Sequence, residues 1–179
     1  MNPQDISKFW FEEAKPEQHF KKDAAFDALI REQYSEVHRA AAQSELYEWR
    51  TTPDGRLAEI IVLDQFSRNL YRDRPKAFAC DGMALVLAQE AVRTEADKLL
   101  PLARRVFLYM PYMHSESPRI HELAVKLFSQ AGLEFNLGFE LKHKAIIERF
   151  GRFPHRNAAL GRTSTADEIE FLSKPNSGF

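Results

Sequence analysis

Three separated stretches carry polar side chains that a helical core has no need of. In Phe150-Gly151-Arg152-Phe153-Pro154-His155-Arg156-Asn157, two guanidiniums, an imidazole and a carboxamide flank a rigid Phe-Pro step. Arginine suits planar, bidentate recognition of a carboxylate or phosphate, and histidine can exchange a proton near neutral pH. This stretch lies in a segment, Lys142 to Arg162, that holds six Lys/Arg against one acid, Glu148, on a chain of formal net charge -1. A local cationic excess on a near-neutral protein is a directed field for an anion. In the second stretch, Leu63 to Arg72, helical spacing puts Asp64, Arg68 and Arg72 in one row with Gln65 and Asn69 beside it. The third, Phe107 to Glu116, offers Tyr109 and Tyr112 with hydrogen-bonding tips, then His114 and Glu116 after Pro111.

Each stretch also has a plainer reading. The charged row can be a solvated face with an Asp64–Arg68 pair, which contributes little stability when exposed. Tyr109 and Tyr112 can be core tyrosines with locally satisfied hydroxyls. Phe150 and Phe153 can anchor the late loop while Arg149 and Arg152 tie down helix carbonyls. The functional reading takes Asp64, Gln65, Arg68, Asn69, Tyr109, Tyr112, His143, Arg152, His155, Arg156 and Asn157 as ligand-binding residues, and His114, Glu116 and His155 as candidates for acid/base work.

The elements that must position these groups read as helices throughout. Seven glycines, and no Asn-Gly or Asp-Gly turn between alternating runs, argue against a β-rich fold. Asn2-Pro3 opens a helix bearing Ile6, Phe9 and Trp10, and a second spans roughly Lys22 to Gln43. Thr52-Pro53 opens a third, running through Ile60-Ile61-Val62-Leu63 to Tyr71, and Pro75 begins a fourth that carries Phe78, Leu85, Ala88 and Val92 inward. Leu100 to Met110 is apolar enough to lie deep, with Pro111 breaking or kinking it and leaving His114 and Glu116 in a loop. Ser117-Pro118 caps the next helix, closed by Gly132; Glu134 to Phe150 follows, ended by Gly151. Thr165-Ala166-Asp167-Glu168 is a capping box for a last short helix. Short loops imply antiparallel neighbours. The expectation is about eight helices in a single domain, 1–179.

Composition narrows the class. At 179 residues, 44% hydrophobic and 28% charged, the chain has the make-up of a globular domain. The single Cys80 sits in an apolar neighbourhood typical of an inert buried thiol and suits a reducing compartment. No signal-like N-terminus or apolar run of roughly 20 residues is present, so a cytoplasmic location without membrane association is expected. The basic segment is short and has no recognition-helix motif, which argues against nucleic acid.

The same three stretches, with Phe9-Trp10-Phe11 and the late Thr163-Ser164-Thr165 to Phe171-Leu172, resemble bacterial domain-of-unknown-function family 924 over nearly the whole chain. The resemblance implies an all-α fold of antiparallel helix pairs like the right-handed tetratricopeptide-repeat superhelices, and no established activity. Its members tend to carry His-Arg-Asp in the late helix, where this chain has His143-Lys144-Ala145.

Standard catalytic signatures are missing. His121-Glu122-Leu123-Ala124-Val125 begins like a zinc-protease helix, but Val125 stands where the second histidine belongs. No nucleophile elbow, P-loop or dinucleotide fingerprint occurs, and neither a metal nor a cofactor is expected. Three readings remain. The chain is a binding module for an anionic small molecule or peptide carboxylate in an inter-helix cleft. Alternatively it is an enzyme with a histidine acid/base and arginine clamps, or a structural and protein-interaction scaffold. Because the polar set is rich in donors and lacks a nucleophile, binding leads.

Overall fold

A computed structural model describes residues 1–175, and among them every regular element is helical. The first three α-helices start at side-chain caps, whereas Ser117 at a later start makes no side-chain cap bond. Helix α1 (Pro3–Lys8) opens with Asn2 accepting from the Asp5 amide at 3.0 Å while the Asp5 carboxylate accepts from the Asn2 amide at 2.8 Å. Helix α2 (Ala24–Ala42) is capped by Asp23, and α3 (Pro53–Ile61) by the Thr52 hydroxyl on the Gly55 amide at 3.1 Å. Gly55 is required there. A Cβ would lie 1.9 Å from the Trp49 carbonyl oxygen, because the short turn Tyr47–Thr51 folds directly against the first turn of α3.

The third helix continues to Leu70, but through a π-helical turn, Val62–Phe66, before the α-helical α4 (Ser67–Leu70). Such a turn widens the backbone and commonly marks a functional site; here it holds Asp64 and Gln65, both buried. Pro75 starts a separate 3₁₀ turn, Pro75–Phe78, and α5 begins only at Asp81 (Asp81–Arg93). Helix α6 (Leu102–Met113) carries Pro111 inside it. The proline therefore does not end the helix: it removes one backbone donor, yet the His114 amide still closes onto the Met110 carbonyl at 2.9 Å. His114 caps the helix, and Ser115 and Glu116 follow in the loop to α7 (Pro118–Phe128). Helix α8 (Glu134–Phe150) ends at Gly151, whose φ of 69° turns the chain sharply toward Arg152 and Phe153. Two short helices, α9 (Asn157–Leu160) and α10 (Ala166–Leu172), close the described chain.

The main core joins α1, α2, α3, α5, α6 and α7. At its centre Phe9 meets Tyr34 at 4.7 Å, Tyr34 meets Phe66 at 5.0 Å, and Trp10 packs edge-on to Phe107 at 5.6 Å. A second, smaller cluster of Ile146, Ile147 and Phe153, with Phe150 and Phe171 against it, fastens the C-terminal segment to α8. Burying a ring such as Phe153, which is fully buried, contributes about 1.5–3 kcal/mol. No helix among the described residues is long and apolar enough to cross a membrane.

Candidate functional site

Asp64 sits on the π-helical turn with no exposure to solvent. Its carboxylate accepts from Gln65 Nε2 at 2.6 Å, stands 3.1 Å from Arg68 Nη1, and lies 2.8 Å from His114 Nδ1. Burial by itself pushes the Asp64 carboxyl up, but Arg68 and His114 outweigh it and hold the group well below the usual carboxylate range. An ionised Asp64 can only accept, so His114 Nδ1 carries the proton and donates it. Burial and the nearby Arg68 push the imidazole below its ordinary value, leaving the neutral tautomer with a lone pair on Nε2. The arrangement is an aspartate-oriented histidine, poised as a proton acceptor.

Arg68 extends the chain of charges. It donates to the Asp64 carbonyl at 2.8 Å and grips Asp81 with both Nη atoms, at 3.0 and 3.1 Å. Asp81, the first residue of α5, also accepts from Arg156 Nη1 at 3.2 Å. The Arg156 guanidinium lies between two rings, 4.7 Å from the Phe78 centroid and 4.5 Å from that of Phe153. Arg156 is only 6% exposed, its Nε is buried without a hydrogen bond, and Asp81 must be shared with Arg68. Burial and repulsion from Arg68 accordingly pull Arg156 down to about 10.

Of these groups, Phe78, Asp81, His114 and Arg156 line a cleft of about 310 Å³. Pro75, Phe78, Asp81 and Leu85 form one side, Pro111 and His114 to Glu116 the second, and Arg156, Leu160 and Arg162 the third. Glu116 is held by Arg162 through two bonds, 2.8 and 2.7 Å, and accepts from the Phe153 amide at 2.9 Å. Arg162 and that amide keep the Glu116 carboxyl below its ordinary value although burial opposes them. The loop carrying His114 is fixed from below. His121 Nε2 donates to the Ser115 carbonyl at 2.8 Å, and its Nδ1 meets Glu140 Oε1 at 2.7 Å. With Nε2 committed as donor, Nδ1 and Glu140 share one further proton, and burial pushes the Glu140 carboxyl up.

The structure thus brings Asp64, Arg68, His114, Glu116 and Arg156 to one place, with Gln65 bracing Asp64 from behind against Met110 Sδ at 3.2 Å. Other expected residues have partners elsewhere. Asn69 and Arg72 both donate to Asp27, on α2. Tyr109 donates to Asp97 at 2.6 Å deep in the core, and Tyr112 is buried beside it. Arg152 clasps Glu168 through two bonds, at 2.7 and 2.8 Å, and donates to the Thr163 carbonyl, while Asn157 donates to Ser164 and Glu168. His143 Nδ1 donates to the Phe139 carbonyl at 2.8 Å, and its ring and that of His155 pack against Phe153 at 5.7 and 5.5 Å. Two cleft groups had no motif to announce them. Asp81 reads as an ordinary acid in a first helical turn, and Arg162 as one more cation of the basic segment; the signal available was the scarcity of acids near so many arginines, which requires carboxylates from elsewhere. Among the described residues no group of three or more His, Cys, Asp or Glu is arranged to hold a metal ion.

A solved structure of a protein of unknown function, ATU0120 from Agrobacterium tumefaciens, is similar over 95% of this chain and 96% of its own, at 38% identity and a TM-score of 0.90. A search of curated proteins gave no match. The sequence profile of a family described as bacterial protein of unknown function, DUF924, matches residues 6–176, and the chain belongs to that family.

Proposed function

We propose that the cleft between α5, the α6–α7 loop and the Arg156–Arg162 segment binds a small organic anion, a carboxylate or phosphate with an apolar body. One observation carries this reading. Arg156 is a buried guanidinium at the cleft whose single hydrogen bond among the described residues goes to a carboxylate already gripped by Arg68. A buried cation short of counter-charge gains most from an arriving anion. Phe78 and Phe153 hold its plane in place, so little side-chain freedom is lost on binding. Phe78, Leu85 and Leu160 offer an apolar wall for the rest of the molecule.

The test is thermal denaturation in the presence of butyrate and of inorganic phosphate. At a concentration of about 100 times Kd a single-site ligand stabilises the fold by about 2.7 kcal/mol. Wild type should gain stability with at least one of the two anions and Arg156→Ala with neither. Equal gains in both proteins remove Arg156 from the site.

A further inference from the structure

We propose that this cleft is an active site in which His114 is the general base for hydrolysis of a small carboxylic ester, with the carboxylate product as the anion that Arg156 holds; the proposal rests on the binding reading above. The geometry has three parts. First, His114 Nδ1–H donates to Asp64 Oδ1 at 2.8 Å, which fixes the ring plane and tautomer. Second, His114 lines the cleft, its side chain is 15% exposed, and no described residue bonds its Nε2. With Nδ1 committed to Asp64, the lone pair of Nε2 is available to a molecule entering the cleft. Third, Arg156 lines the same cleft and is linked to His114 through Asp81, Arg68 and Asp64, so base and cation belong to one connected framework.

The chemistry balances without a metal or a protein nucleophile. His114 Nε2 takes a proton from water as the water oxygen bonds to the acyl carbon, and the carbonyl π pair moves onto its oxygen. That developing oxyanion lies on the Arg156 side, where a desolvated guanidinium is most effective. On collapse the bond to the alkoxy oxygen breaks and the imidazolium returns its proton to the leaving alcohol. Ester and water become carboxylic acid and alcohol. A short apolar acyl group fits the wall of Phe78 and Leu85. The titratable groups facing the ring are the charged Asp64 and Arg68 from the third helix and Asp81 from α5, and the neutral His143 and His155 from the C-terminal half.

The experiment is hydrolysis of p-nitrophenyl butyrate by the full chain, followed across pH 5–9, with butyrate binding measured in parallel. Wild type should turn over, with kcat/KM rising to a plateau as His114 loses its proton. His114→Gln, which can still donate to Asp64, should lower kcat/KM by about 10²–10⁴-fold while its melting remains cooperative. Arg156→Lys should lower kcat and weaken butyrate binding together. Butyrate binding without turnover, or turnover unchanged in His114→Gln, overturns the catalytic proposal and leaves the binding reading standing. Absence of both butyrate binding and turnover removes the catalytic proposal, and the binding reading falls with it when inorganic phosphate also leaves the fold unstabilised.

Discussion

Asp64 has no contact with water, yet it is charged because Gln65, Arg68 and His114 all converge on it. Removing one member of a buried, hydrogen-bonded charge group typically costs about 3–5 kcal/mol, since the partners keep their desolvation without their compensation. Asp64→Asn should therefore lower the unfolding free energy by that order in urea titration, and should release His114 to protonate on either ring nitrogen, visible in imidazole ¹⁵N shifts. A loss below about 1 kcal/mol with unchanged shifts contradicts the assigned tautomer. At this scale the sequence singled out Asp64, Arg68, His114, Glu116 and Arg156 as polar residues beyond what an apolar helix face needs, and the structure links Asp64, Arg68, His114 and Arg156 through Asp81. Arg152 and Asn157 stood out equally, but they clasp Glu168 and thereby fasten α10. Spacing cannot separate an arginine that serves a ligand from one that serves a distant carboxylate.

Helix starts were legible because caps are local chemistry: Asn2, Thr52 and Thr165 each do at their helix what their side chains predict. The π-helical turn at Val62–Phe66 was not legible, since one widened turn within a buried apolar run leaves the helical spacing of its residues almost unchanged. The same limit applies to α6, whose run through Pro111 depends on a buried helix that tolerates one missing donor. The His121–Glu140 pair couples α7 to α8 and, through the Ser115 carbonyl, sets the loop that presents His114. Glu140→Ala should destabilise by about 1–3 kcal/mol by leaving His121 Nδ1 without its partner. Glu140→Gln, which can donate to Nδ1, should recover most of that loss. Equal losses in the two variants contradict the shared-proton account.

Across the molecule, three of the six cations in the basic segment from Lys142 to Arg162 meet acids from elsewhere: Asp81, Glu116 and Glu168 pair with Arg156, Arg162 and Arg152. The all-helical class was visible in the sequence, whereas this charge pairing is long-range and was not. It sets the acid response. Burial holds His143 at about 3 and His155 at about 4, below the ordinary 6.5, so the unfolded chain takes up these protons first. Stability is then complete above about pH 6.5 and falls as pH drops toward those folded values. Asp64, Glu116 and Glu168 are held below their ordinary values, so their contribution is present above about pH 4 and is lost below it. The urea midpoint should decline already between pH 6.5 and 5, and a flat midpoint over that interval contradicts the assignment of buried neutral histidines. Calorimetric titration of butyrate and of inorganic phosphate tests most directly whether one shared cleft binds an anion through the undercompensated Arg156. Wild type and Arg152→Ala, altered outside the cleft, should give the same single-site heat, and Arg156→Ala none. An unchanged Kd in Arg156→Ala, or no heat in wild type with either anion, contradicts the account.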